Sequence, residues 1–144
     1  MKTVADILQT KGSEVWTIPP ETIVFDALKT MADRNVGALV VLDGTKVIGI
    51  LSERDYARKV ILHGRSSREL RALEIMSTHV YFVSPKENIE ECMALFTDKR
   101  VRHLPVLQDE QLIGIISIGD VVKAVIAEQE HTIKHLENYI TGGR

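Results

Sequence analysis

The sequence predicts an α+β fold in which two tandem β-α-β-β-α repeats pack about a pseudo-twofold axis, followed by a C-terminal helical extension. Three observations carry this. Residues 20–60 align without a gap on residues 85–125 at a constant offset of 65, with 12 identities in 41 positions; average composition would give roughly two or three. Within each copy, apolar residues recur first at helical spacing and then in two short β-branched runs. Each copy also closes on the same pattern: Ile48-Gly49-Ile50-Leu51-Ser52-x-x-Asp55 returns as Ile113-Gly114-Ile115-Ile116-Ser117-x-x-Asp120.

The elements follow in order. A short strand around residues 16–18 is stopped by Pro19-Pro20, after which Val24, Leu28, Met31 and Ala32 fall at helical spacing. Residues 38–42 and 47–51 are apolar runs separated by Asp43-Gly44-Thr45, the signature of a hairpin. Ser52 caps a helix expected to run to about Leu62, and His63-Gly64-Arg65-Ser66-Ser67 opens a linker. The second copy repeats the order: strand 81–83, helix 89–99, strands 103–107 and 112–116, and a helix from Ser117. Ahead of Pro20 the register slips. Val4-Ala5-Asp6-Ile7-Leu8 fits Ala72-Leu73-Glu74-Ile75-Met76 at a different offset, with a loop expected at 9–15 to absorb the difference. The boundaries so read are a single module over 1–144, with repeat 1 at 4–62, a linker at 63–71, repeat 2 at 72–126 and a C-terminal helix at 127–140. A copy of about 60 residues buries a modest share of its surface alone, so stability is expected from packing the two together.

Composition narrows the function. Aromatics are 5% of the chain and the net charge is −2, which leaves few stacking platforms and no basic field for nucleic acid. The longest apolar stretch, 36–42, is far below the roughly 18 residues of a membrane span. An acidic residue, Asp6, precedes any apolar run, so no secretory signal is expected. The single cysteine, Cys92, has no internal partner, and with the missing signal this points to a reducing cytoplasm.

The doubled unit, with a Pro after its first strand and a Gly-h-h-Ser-x-x-Asp ending, resembles a cystathionine-β-synthase (CBS) domain pair, or Bateman module. Val101-Arg102-His103-Leu104-Pro105-Val106 is similar to a typical stretch of that family. The resemblance spans about residues 4–126 and implies a stand-alone, bacterial-type CBS protein. It further implies a non-catalytic module that binds AMP, ADP, ATP or NAD in clefts between the repeats and signals occupancy to an unidentified protein partner. A homodimer is also implied, without a catalytic cofactor, metal, nucleic acid or membrane. Ser52 and Ser117 stand where a strand turns into a helix, a place that favours phosphate. Asp55 and Asp120 would accept hydrogen bonds from a ribose diol, as an acidic residue does in dinucleotide folds. By the family's pattern, Ile18 and Val83, with backbone groups of Ala38, Leu39 and Val40 and of His103, Leu104 and Pro105, would hold adenine. Arg54 in the first copy, and Arg102 or His103 in the second, would face phosphate, so unequal affinities are expected.

Other readings compete. Ser-x-x-Asp also approximates a capping box that only starts a helix, and a structural or interaction protein with vestigial clefts is the alternative function. An enzyme is disfavoured, because no cleft shows a nucleophile beside a base, an acid–base pair or a metal triad. Gly44-Thr-Lys-Val-Ile-Gly49 has phosphate-loop spacing but is followed by Ile50-Leu51 instead of Lys-Ser/Thr, and no Gly-x-Gly-x-x-Gly occurs. His131 and His135 lie at i and i+4 without a third ligand and read as a solvated face. Cys92 aligns with Ala27 and shares a helix face with Ile89 and Phe96, the position of a buried thiol. Residues 121–140 form an amphipathic helix that could cap its own core or pack on a second chain. Thr141-Gly142-Gly143-Arg144 is expected to end that helix and fray.

Overall fold

The computed structural model describes residues 2–141; Met1 and the Gly142-Gly143-Arg144 end lie outside the described residues. The order is α1 (Val4–Lys11), β1 (Thr17–Ile18), α2 (Val24–Arg34), β2 (Ala38–Asp43), β3 (Lys46–Ser52), α3 (Glu53–Lys59), a 3-10 turn (Ile61–His63), α4 (Ala72–Ile75), α5 (Ile89–Lys99), β4 (His103–Gln108), β5 (Gln111–Ser117) and α6 (Ile118–Ile140). The mixed α+β repeats and the C-terminal helix are as the sequence predicts. The copies agree in backbone detail, since α2 and α5 both end on a left-handed residue, Asn35 at φ 55° and Arg100 at φ 53°.

The described residues form two compact units that differ in composition from the sequence repeats. One comprises Glu14–Tyr81 and Asp109–Ile113; the other comprises, of the described residues, 2–13, 82–108 and 114–141. Each contains the segment that precedes the other repeat in the chain. In the Glu14–Tyr81 unit, Ala72 N donates to Thr22 O (2.7 Å), Leu73 N to Pro20 O (3.1 Å) and Val24 N to Leu70 O (2.8 Å). In the other, Val4 N donates to Glu87 O (2.8 Å), Ala5 N to Pro85 O (3.0 Å) and Ile89 N to Lys2 O (3.2 Å). The same three bonds recur at corresponding positions, so α1 stands to α5 as α4 stands to α2.

The Glu14–Tyr81 unit carries a three-stranded sheet ordered β1-β2-β3, with β1 parallel to β2 and β2 antiparallel to β3. One face of α2 (Val24, Ala27, Met31) packs with Ile18, Leu39, Val41, Leu51, Val60, Ala72 and Ile75 into an aliphatic core. Strands β4 and β5 form a two-stranded sheet, and the second unit buries Val4, Ile7, Val83, Ile89, Cys92, Phe96, Leu104, Val106, Ile116 and Val121. Burial pushes the Cys92 thiol up to about 11, helped by the charges of Glu87 and Glu91, so it stays protonated.

Three expectations need correction. The strand expected at 81–83 is reduced to one parallel bridge, Val83 to Val106. Its counterpart, β1, gains a further bond from Val40 N to Trp16 O (3.1 Å). The residue equivalent to Val40 is Pro105, which has no N–H to donate, so the ladder stops. The helix after Ser52 ends at Lys59 instead of Leu62. There the fully buried Val60 turns the chain into the 3-10 turn, closed by Gly64 at φ 68°. Finally, α1 runs on to Lys11, so the loop before β1 starts at Gly12 and not at Gln9.

Candidate functional site

The predicted site residues fall into two sets, each held within one unit. In the first set, Ala38 pairs with Ser52 and Leu39 with Leu51 across the hairpin, while Thr17 of β1 lies beside Val40. Glu53 N donates to Gly37 O (3.0 Å), which draws the start of α3 against the start of β2. Ile18, Ala38, Leu39, Val40, Ser52, Arg54 and Asp55 are thereby gathered at one end of one sheet. Ile18 and Leu39 belong to the core, and Arg54 is exposed.

The second set repeats the arrangement. Ile118 N donates to Arg102 O (3.0 Å) and Val83 N to Pro105 O (3.1 Å), which joins Val83, Arg102, His103, Leu104, Pro105, Ser117 and Asp120. Val83, Leu104 and Pro105 are buried, His103 is half-buried and Arg102 is exposed.

Both Ser-x-x-Asp segments are complete capping boxes. Asp55 N donates to Ser52 Oγ (3.1 Å) and Ser52 N to Asp55 Oδ2 (3.0 Å). Asp120 N donates to Ser117 Oγ (3.2 Å) and Ser117 N to Asp120 Oδ2 (2.8 Å). The N-cap amide and the third amide of each helix are thus bonded inside the protein. The capping reading and the binding reading share the same residues, and the capping half is fully formed.

The carboxylates then diverge. Asp55 is 7% exposed, and both its oxygens are engaged. Oδ2 takes the Ser52 N–H and hydroxyl (3.0 Å each), while Oδ1 takes the Ser77 hydroxyl (3.0 Å) and the Lys59 ammonium (3.2 Å). Lys59 also donates to Ile75 O (2.8 Å), which ties α3 to α4. On Asp120, Oδ2 takes both the Ser117 N–H and Lys11 Nζ (2.7 Å), and Oδ1 accepts no hydrogen bond from the described residues. Lys11 also donates to Ile115 O (2.9 Å), pinning the end of α1 to β5. Burial pushes the Asp120 carboxyl up, but the Lys11 hydrogen bond, the Ser117 N–H, the Lys11 charge and the Ser117 hydroxyl together hold it below its ordinary value.

Sequence reasoning did not find Lys11, Lys59 or Ser77. Lys59 had a local signal, since it sits four residues after Asp55 on the same helix. Lys11 and Ser77 reach their carboxylates only because the leading segments cross between repeats. The sole hint was the match of 4–8 with 72–76.

The glycines of the shared motif face those crossing segments. A Cβ on Gly49 would lie 2.6 Å from Met76 Sδ and 3.0 Å from Ser77 O, and one on Gly114 would lie 2.8 Å from Leu8 Cδ2. Among the described residues no group of three or more His, Cys, Asp and Glu is placed to hold a metal ion, and His131 and His135 are exposed.

The hairpin with its capped helix thus occurs twice, and the fold is that of a tandem-repeat module. The family profile of the CBS domain matches the chain twice, at residues 4–62 and 72–127. The chain belongs to the CBS-domain family, whose members are regulatory and signal-transduction modules and generally not catalysts. It is 41% identical to the mitochondrial CBS domain-containing protein CBSX3 of Arabidopsis thaliana, covering 98% of this chain and 73% of that one. A solved structure from Burkholderia ambifaria MC40-6, assigned provisionally to signal transduction, is similar at 52% identity and TM-score 0.85, over 89% of this chain and 96% of that one. A hexameric CBS-CP12 protein from bloom-forming cyanobacteria is similar at 30% identity and TM-score 0.76, over 85% and 70%.

Proposed function

We propose that the protein is a non-catalytic sensor that binds an adenosine-containing nucleotide, AMP, ADP, ATP or NAD. Occupancy is signalled to a partner protein by a change of conformation or assembly. The observation that carries this reading is the second carboxylate. Asp120 is held ionised, with one oxygen fixed by Ser117 and Lys11, and Oδ1 accepts nothing from the described residues. A pre-oriented anionic oxygen beside a helix start suits a ribose hydroxyl donor, and Arg102 and His103 stand on the neighbouring strand start. The nucleotide can shift the protein only by its differential affinity for the two states.

We also read the chain as a homodimer, acting without nucleic acid or membrane. No helix among the described residues is long and apolar enough to cross a membrane. The cytoplasmic assignment rests on the unpaired Cys92, and the Arabidopsis relative carries a mitochondrial name. A constitutive docking protein is the second reading, favoured by Asp55, whose two oxygens are already taken inside the protein.

A thermal-shift series with the four nucleotides tests the first reading. At 100 times its dissociation constant a native-state ligand stabilises by about 2.7 kcal/mol, roughly 6–10 °C for a chain of this size. No shift with any of them would transfer the assignment to the docking protein.

A further inference from the structure

Helix α6 carries an apolar stripe that its own unit leaves uncovered. The face toward the unit holds Val121, Ala124, Val125 and Glu128, all buried or half-buried, whereas every residue from Gln129 to Thr141 is exposed. About 100° around the helix lie Val122, Ile126, Ile133, Leu136 and Ile140, 45% to 81% exposed. Their spacing is heptad. With Ile126, Ile133 and Ile140 at position a, Val122, Gln129 and Leu136 fall at d, so the pattern is a coiled-coil seam with one polar residue. Three turns of otherwise bare helix would be marginal in water, and a continuous exposed stripe of this kind marks a contact surface.

The flanking charges choose the occupant. The e positions are Lys123, Glu130 and Glu137, and the g positions are the uncharged Val125, Thr132 and Tyr139. We propose that this stripe pairs with the same stripe of a second copy, antiparallel. In that arrangement Val122 meets Ile140, Ile126 meets Leu136 and Gln129 meets Ile133 of the second copy. Lys123 then faces Glu137 of the second copy, twice by symmetry, against one like-charged meeting of Glu130 with its counterpart. A parallel pair would match Gln129 with itself, but would set Glu130 and Glu137 against uncharged g positions and leave both Lys123 side chains without an opposite charge.

The inference rests on the reading of the chain as a homodimer and specifies its surface and polarity. Sedimentation equilibrium on the full chain tests it. The wild type sediments as a dimer, and Ile133→Asp with Leu136→Asp gives a monomer. Lys123→Glu and Glu137→Lys each weaken the dimer about ten-fold or more, and the double charge swap restores it to within about two-fold. A monomeric wild type overturns the homodimer reading itself. A dimer insensitive to the aspartates leaves that reading standing and overturns the seam, and a charge swap that fails to restore affinity overturns the antiparallel pairing.

Discussion

Replacing each motif aspartate by alanine should expose an inequality that the repeated sequence conceals. Asp55→Ala removes the acceptor for the Ser52 N–H and hydroxyl, the Ser77 hydroxyl and the Lys59 ammonium. The capping box is worth about 1 kcal/mol. Hydrogen bonds to a charged group contribute about 1.5–3 kcal/mol, and the Ser77 bond is part-buried, so its share lies near the lower end. Lys59 is 44% exposed, which limits its pair to under about 1 kcal/mol. The total is about 2.5–3.5 kcal/mol, or roughly 6–13 °C in Tm. Asp120→Ala loses its capping box and the half-exposed Lys11 pair, about 1.5–2 kcal/mol. Urea denaturation followed by circular dichroism measures both. In a double-mutant cycle Ser77→Ala should cost about 1.5 kcal/mol in the wild type and much less when Asp55 is already alanine. Equal losses for the two aspartates, or no coupling between Asp55 and Ser77, would refute the assignment of Asp55 as a buried tie between α3 and the 72–77 segment.

Two further outcomes follow from the same contacts. Asp120 is held below its ordinary pKa of 3.8, so its stabilisation is present above that pH and is lost as the pH falls through the lowered folded value. In Lys11→Met the carboxyl returns toward its ordinary value, and Tm should fall less steeply between pH 5 and pH 2, a change that calorimetry at stepped pH would register; an unchanged slope removes Lys11 from the account. Gly49→Ala should cost about 1–3 kcal/mol, because its Cβ meets backbone Ser77 O as well as Met76, while Gly114→Ala costs less, since only the flexible end of Leu8 must move. Denaturation midpoints decide, and the reverse order would contradict the packing.

Local order along this chain was decided by local pattern. The offset of 65 places the helices and hairpins of both copies. Apolar periodicity marks the buried faces of α2 and α5, and the Ser-x-x-Asp spacing sets the two helix starts, because capping and amphipathic burial depend on neighbours within a turn or two. Even the shortened second strand was implicit in Pro105, once its partner in the parallel pair was known. What the tertiary structure alone decided is non-local. The leading segments cross, so that Lys11 reaches Asp120 and Ser77 reaches Asp55 over separations that no spacing rule spans. As a result, two copies of one motif acquire different chemistry: one carboxylate is consumed by the fold and the other keeps an oxygen in reserve. Sequence identity between repeats fixes the backbone path, but the free capacity of a buried polar group is set by whichever side chains arrive in space to fill it.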